Sequence, residues 1–209
     1  MEKKAESLME LYAEEREKLS KLASSSGKGG EYLHPVLGCG DPDSRIMLIG
    51  EAPGREETEI GIPFSGKAGK QLDLLLAGSR IDRKSLFVTN AVKYRPYTLT
   101  NNGKRNRTPT GKEIAAGLSL LEREIGLIDP DWIVTLGNTP LYSIQLMLGL
   151  DRKKIGEVHG KCIGIPMNQR MTRLFPMYHP ASTIYDRALA GILEKDMELF
   201  RSLIGGQEG

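Results

Sequence analysis

The chain has 209 residues, with 29 Lys and Arg against 27 Asp and Glu for a formal charge of +2, and only two cysteines, Cys39 and Cys162. That length suits one domain with a core of its own, the balanced charge excludes a uniformly polybasic or polyacidic chain, and two distant cysteines with no CxxC pair exclude a multi-cysteine metal site. There is no N-terminal apolar segment of the secretory kind and no apolar run of about 18 residues, so a soluble, cytoplasmic protein without membrane association is expected.

In chain order, Leu8, Leu11, Tyr12, Leu19 and Leu22 recur at helical spacing with Glu and Lys between them, predicting an amphipathic helix over 5–23. Residues 24–30 read as a Ser/Gly-rich joint. Residues 1–30 are thus a helix and a joint at the start of a single domain spanning 1–209. Four short apolar runs, 45–51, 86–92, 132–136 and 173–178, have the character of strands covered on both faces. Helical patterns at 67–78, 111–126 and 137–149 separate most of them. A last helix over 184–204 sets Ile192, Leu193, Met197, Phe200 and Leu203 on one face. The alternation predicts a three-layer α/β/α fold around a mainly parallel, four-stranded sheet.

Residues 93–111 break the pattern. This stretch carries Lys93, Arg95, Lys104, Arg105 and Arg107, two tyrosines and no acid. It reads as a long loop, either a solvated surface segment or a phosphate-contacting loop that orders on nucleic acid.

The first strand runs into Gly50-Glu51-Ala52-Pro53-Gly54, followed by Gly61-Ile62-Pro63-Phe64-Ser65-Gly66-Lys67-Ala68-Gly69 and then a helix. Strand, glycine-rich loop and helix in that order expose backbone N–H groups at the carboxyl end of the sheet, where open α/β sheets bind ligands. The second strand ends at Asn90, the third runs into Gly137-Asn138-Thr139, and the fourth into Tyr178-His179-Pro180-Ala181-Ser182. Parallel strands bring these ends to one edge, so Glu51, Asn90 and His179 can share a pocket. An acid, an aromatic plate and tight turns in one place suit the grip of a flat polar ring.

These motifs (GEAPG…GIPFSGKAG, TNAVKYRP…NRTPTGKEIAA, IVTLGNTP and YHPAS) resemble the uracil-DNA glycosylase superfamily, most nearly its iron–sulfur-containing family 4, over about residues 45–185. The resemblance implies hydrolysis of the N-glycosidic bond of uracil in DNA, with the base flipped out of the stack. It implies that Phe64 stacks on uracil and that Asn90 hydrogen-bonds its polar edge. The loop residues Gly50, Ala52, Pro53 and Gly54 would complete the uracil shell. Glu51 would position the attacking water or stabilise the cationic sugar, with Glu57 as the alternative carboxylate, and His179 would donate to uracil O2 as charge develops there. Ser65, Gly66 and Lys67 at the helix start would hold a DNA phosphate, together with Lys93, Arg95, Arg105 and Arg107. Pro180, Ala181 and Ser182, with Ile184 or Tyr185 as wedge, would enter the minor groove.

One departure from the family pattern stands out. Two of the cluster cysteines are expected at positions that read Tyr94 and Gly117 here, and the N-terminal pair is missing too. No iron–sulfur cluster and no other cofactor is expected, so residues 93–111 should be looser or be held by packing around Tyr94. The expected partner is uracil-containing DNA and the expected state a monomer. Two other readings stay open: a glycosylase for hypoxanthine or xanthine, and a non-catalytic nucleic-acid-binding member of the superfamily.

Overall fold

A computed structural model describes residues 2–25, 35–101 and 103–206, with side chains for all of these except 19–25, 184 and 185. Helix α1 (Glu2–Ser25) is followed by strands β1 (Cys39–Gly40) and β2 (Ile46–Gly50), then by helices α2 (Arg55–Ile60) and α3 (Lys67–Gly78). Strand β3 (Phe87–Asn90) leads to the hairpin strands β4 (Tyr97–Thr100) and β5 (Gly103–Asn106) and to helix α4 (Gly111–Ile128). Then come β6 (Trp132–Leu136), α5 (Asn138–Met147), α6 (Ile155–Val158), β7 (Ile163–Met167), β8 (Arg170–Met177), α7 (Ser182–Tyr185) and α8 (Ala188–Gly205). No helix among the described residues is long and apolar enough to cross a membrane.

The main sheet has the order β1-β3-β2-β6-β8-β7. Strands β3, β2, β6 and β8 pair in parallel and are the four predicted strands. The sheet has six strands rather than four, because β1 and β7 add antiparallel edges. Both escaped the search for apolar runs. β1 has two residues, and β7 is IGIPM, whose Gly164 and Pro166 face solvent while Ile165 and Met167 are buried. An edge strand tolerates the proline because it needs no second ladder partner.

Strand alternation divides the core in two. Met47, Ile49, Phe87 and Ile133 face one way and pack with Leu8 and Leu11 of α1, Leu121 and Ile125 of α4, and Leu141 and Ile144 of α5. Leu48, Val88, Val134 and Phe175 face the other way, onto Leu72 and Leu76 of α3 and Leu193, Met197 and Phe200 of α8. The result is the expected three-layer α/β/α arrangement. The last predicted helix is divided into α7 and α8, because Asp186 takes an extended backbone between them, with φ of −135° and ψ of 104°, while its carboxylate accepts from the Ala188 N–H. Most of the predicted Ser/Gly joint lies outside the described residues.

Residues 93–111 are not one loop. Tyr97 pairs with Asn106 and Thr100 with Gly103 in a two-stranded hairpin. Lys93 does not face a phosphate either. Its side chain is 2% exposed, and its ammonium donates to the Asn90 carbonyl, the Thr89 hydroxyl and a Glu124 carboxylate oxygen, each at 2.6 Å. The second Glu124 oxygen accepts from the Tyr12 hydroxyl at 2.8 Å, which joins α1 to the same network. Burial pushes the Lys93 ammonium below its ordinary pKa, and Glu124 opposes that shift.

A buried charge left without its partner is costly, whereas removing both partners together can be close to neutral. Lys93→Met is therefore expected to lower unfolding free energy by about 3–5 kcal/mol in urea denaturation. The double variant Lys93→Met/Glu124→Leu should recover at least half of that loss. Equal loss in both variants would mean the network is not a charge pair of this kind.

Candidate active site

The carboxyl ends of the parallel strands open into a cleft of about 790 Å³, lined by residues 51–57, Phe64, residues 66–68, Asn90, Pro96, residues 106–108, His179 and Ala181. Glu51, Asn90 and His179 thus meet although they lie on three different strand ends. The register explains the meeting of the first two. Gly50 pairs with Asn90 across β2 and β3, and the ladder continues past the strands as Ala91 N–H donates to Gly50 O at 2.9 Å and Val92 N–H to Glu51 O at 3.1 Å.

Gly50 is required by close approach. A Cβ there would meet the Asn90 amide oxygen and would come within 2.5 Å of the Phe64 ring. Phe64 is 4% exposed and holds a left-handed backbone with φ of 55°. Arg83, from the helical turn Arg83–Ser85, braces it by donating to Phe64 O at 3.2 Å and Pro63 O at 3.3 Å. Such a conformation persists only when its surroundings over-determine it. Across the cleft the His179 ring lies nearly parallel to Phe64, at 22° and 6.1 Å between centroids.

The Ala181 N–H donates to His179 Nδ1 at 3.1 Å. Nδ1 is therefore the acceptor, and the proton of the neutral ring sits on Nε2. Burial lowers the His179 pKa to about 4, so the ring is neutral at pH 7. The turn behind it is fixed by Ser182, whose N–H and hydroxyl both donate to His179 O, at 2.8 and 2.6 Å.

The two acids differ in employment. Glu51 is half-buried, and burial raises its pKa while a hydrogen bond from the Thr139 hydroxyl, at 2.7 Å, pulls it back. Glu57 is 9% exposed; its carboxylate accepts from the Gly54 N–H at 2.5 Å and from the Gly66 N–H, tying the two glycine-rich loops together. Thr139 escaped the residue-level reading. Its signal was its place one turn beyond the third strand, directly across from the first.

The basic residues divide as well. Lys67 is exposed at the start of α3, beside the Gly66 N-cap, while the Ser65 hydroxyl donates to Ile62 O at 2.8 Å. Arg105 is exposed on β5. Arg95, by contrast, is 6% exposed, and its Nε donates to the Asn106 side-chain oxygen at 2.6 Å, so it braces the hairpin rather than facing DNA. Arg107 lines the cleft and makes a two-pronged pair with Glu113 at 2.7 Å in each arm, which holds that carboxyl down at about 2. Pro180 is buried, whereas Ala181 and Ser182 are half-exposed. The side chains of Ile184 and Tyr185 lie outside the described residues.

A family profile described as the Uracil DNA glycosylase superfamily matches residues 37–201. The chain belongs to the uracil-DNA glycosylase superfamily. It is 36% identical over 165 residues to a Type-4 uracil-DNA glycosylase of Pyrobaculum aerophilum, covering 79% of this chain and 81% of that one. Against the Type-4 uracil-DNA glycosylase of Sulfurisphaera tokodaii it is 38% identical over 169 residues, 80% of this chain and 74% of the other. With that of Thermotoga maritima it shares 37% over 172 residues, 81% and 82% of the two chains.

The iron–sulfur cluster of family 4 does not fit these residues. Tyr94 is 7% exposed and packs with Val92 and Ile114, with Ala52 and Tyr142 against them. A Cβ on Gly117 would come within 2.5 Å of the Ala91 carbonyl oxygen, so no side chain has room there. Cys39 lies on β1 and Cys162 just before β7, the two opposite edges of the six-stranded sheet, on the order of 24 Å apart at ~4.8 Å per strand. Two thiols so placed cannot share a metal. Among the described residues no group of three or more His, Cys, Asp and Glu is arranged to hold one.

The packing at Gly50 gives a direct test. Gly50→Ala is expected to cost about 1–3 kcal/mol of unfolding free energy, because the methyl must displace the Phe64 ring or the Asn90 amide. A variant as stable as the parent in urea would mean that both side chains move freely.

Proposed function

We propose that this chain excises uracil from DNA by hydrolysing its N-glycosidic bond and leaving an abasic site. The observation that carries this reading is the neutral His179, its Nδ1 occupied by the Ala181 N–H, opposite Phe64 and beside Asn90 in one cleft. The names of the Type-4 relatives support it.

The chemistry follows from what must be stabilised. When the bond between C1′ and N1 breaks, its electron pair leaves with uracil and spreads onto O2. Nε2–H of a neutral imidazole donates to that oxygen without offering a proton that must be lost again. A preorganised donor of this kind is worth about 3 kcal/mol. Phe64 covers one face of the ring. The Asn90 amide can donate to uracil O4 and accept from N3–H, whereas cytosine presents a donor and an acceptor in the reverse order. Water attacks C1′ from the sugar's other side, and the Glu51 carboxylate, aimed by Thr139, accepts its proton and balances the positive charge on the sugar. Glu57 serves the loops instead. Lys67 and Arg107 are the cations on the cleft side for phosphates. The packing around Tyr94 takes the place of the cluster, so the fold does without iron.

The test is base release from a single-uracil oligonucleotide, single-stranded and paired with G or A, read as alkali-labile sites, with hypoxanthine-containing DNA beside it. His179→Ala and Asn90→Ala are each expected to lose about 10²–10³ in rate. Glu51→Gln should lose far more than Glu57→Gln, whose deficit should track its loss of stability. Activity should persist in a chelator, with no visible iron–sulfur absorption. Binding without any base release would sink the reading.

The pH dependence follows from the same groups. His179 is neutral at every pH above about 4, so it sets no limb near neutrality. Glu51 must be ionised and its pKa is raised, so activity should fall as pH drops through that raised value. Thr139→Val removes the hydrogen bond that lowers it. The acid limb of kcat/KM is expected to move to higher pH in that variant, while an unmoved limb would assign it to another group.

A further inference from the structure

The hairpin β4–β5 has features that its role as a wall of the cleft does not use. Antiparallel pairing sets Tyr97 opposite Asn106 and Leu99 opposite Lys104, so these four side chains share one face. Asn106 lines the cleft, which makes the face continuous with the cleft mouth. Lys104 Nζ lies 4.6 Å from the Tyr97 ring centroid, a cation–π contact that holds the ammonium over the hairpin. Leu99 beyond it is 77% exposed. Arg105 stands on the opposite face, exposed, with Thr98 and Thr100.

The base of this hairpin is fixed firmly. The Arg107 N–H donates to Pro96 O at 3.1 Å, Arg107 Nε to Tyr97 O at 3.3 Å, and Arg95 NH2 to Lys104 O at 3.2 Å. A rigid base carries an arm four residues long in each strand, ~14 Å at 3.4 Å per residue. That length matches about four stacked nucleotide steps. Between Lys93 and Lys112 there is no acidic residue. An exposed leucine flanked by cations on both faces of a stiff, acid-free arm matches a DNA strand, which offers apolar sugar and base edges between regularly spaced phosphates.

We propose that the β4–β5 hairpin is a second DNA-contacting arm. Its Leu99 packs against sugars or base edges about three to four nucleotides from the flipped base, and Lys104 and Arg105 hold the flanking phosphates. The cleft mouth then lies between two DNA contacts, the hairpin on one side and the segment Pro180–Ser182 on the other. The assignment rests on the cleft being the place where the nucleotide is taken, but its test does not require catalysis.

The experiment is fluorescence-anisotropy binding to uracil-free duplex DNA across about 50–200 mM salt. Lys104→Gln is expected to weaken binding about tenfold at the low end and to flatten the log–log salt slope by about 0.9, the signature of one lost phosphate contact. Leu99→Ala should weaken binding severalfold with no change of slope, since an apolar contact releases no counterion. Lys84→Gln, exposed at the far end of the sheet, serves as the comparison and should stay within twofold of the parent. Thermal unfolding of all three should match the parent, because the substituted side chains are exposed. Parental affinity and slope in both hairpin variants would overturn the arm and leave uracil excision untouched. Tight binding that weakens as described, with no base release by the parent, would keep the arm and overturn excision.

Discussion

The buried pair between Lys93 and Glu124 is the contact on which the site depends. It sits where the end of β3, helix α4 and helix α1 converge, and each arm of it reaches a different element. Lys93 fixes the carbonyl of Asn90, Glu124 accepts from Thr89 and Tyr12, and the pair is nearly shut off from water. Burying two charges is expensive unless every donor and acceptor is used, and here both partners are fully engaged. Asn90 therefore presents its amide to the cleft from a backbone that is pinned from behind. No described residue of the N-terminal helix lines the cleft, yet the helix contributes to that pinning through Tyr12.

A second constraint is volume. Gly50, Phe64 and Asn90 occupy a space that admits no extra methyl. Phe64 accepts a left-handed backbone because Arg83 holds its carbonyl and the His179 ring lies across from it. The carboxylate of Glu57 then joins Gly54 to Gly66, so the two glycine-rich loops behave as one rigid piece. The site is assembled from loops, yet each is fixed by polar contacts, between the two glycine-rich loops through Glu57 and within the turn that follows His179. That is how loop residues reach the precision that base recognition needs.

The segment after β3 is held by ordinary packing. Tyr94, Val92 and Ile114 pack together, and the absence of a side chain at Gly117 lets α4 press against the carbonyl of Ala91. This packing ties the segment after β3 to Ala52 and Tyr142. The neutral His179 belongs to the same economy: burial and one backbone N–H set its charge and its tautomer together.

Much of this was legible in the chain alone. The four parallel strands, the helix starting at Lys67, the α/β/α layering and the meeting of Glu51, Asn90 and His179 all follow from apolar runs, glycine spacing and the rule that parallel strand ends converge. What the sequence could not decide were matters of neighbours distant along the chain. Lys93 looked like one more cation in a basic stretch, and only the arrival of Glu124 from α4, 31 residues on, makes it a core residue. Arg95 likewise turned inward to Asn106 once residues 97–106 folded back as a hairpin. The different partners of Glu51 and Glu57, the Thr139 hydroxyl for the first and the N–H groups of Gly54 and Gly66 for the second, exist only once the chain has folded. Edge strands β1 and β7 were too short or too interrupted to announce themselves. Local pattern is set by period and propensity, which a sequence carries in full; the state of a charged side chain is set by desolvation and by its partner, and both exist only after the chain has folded.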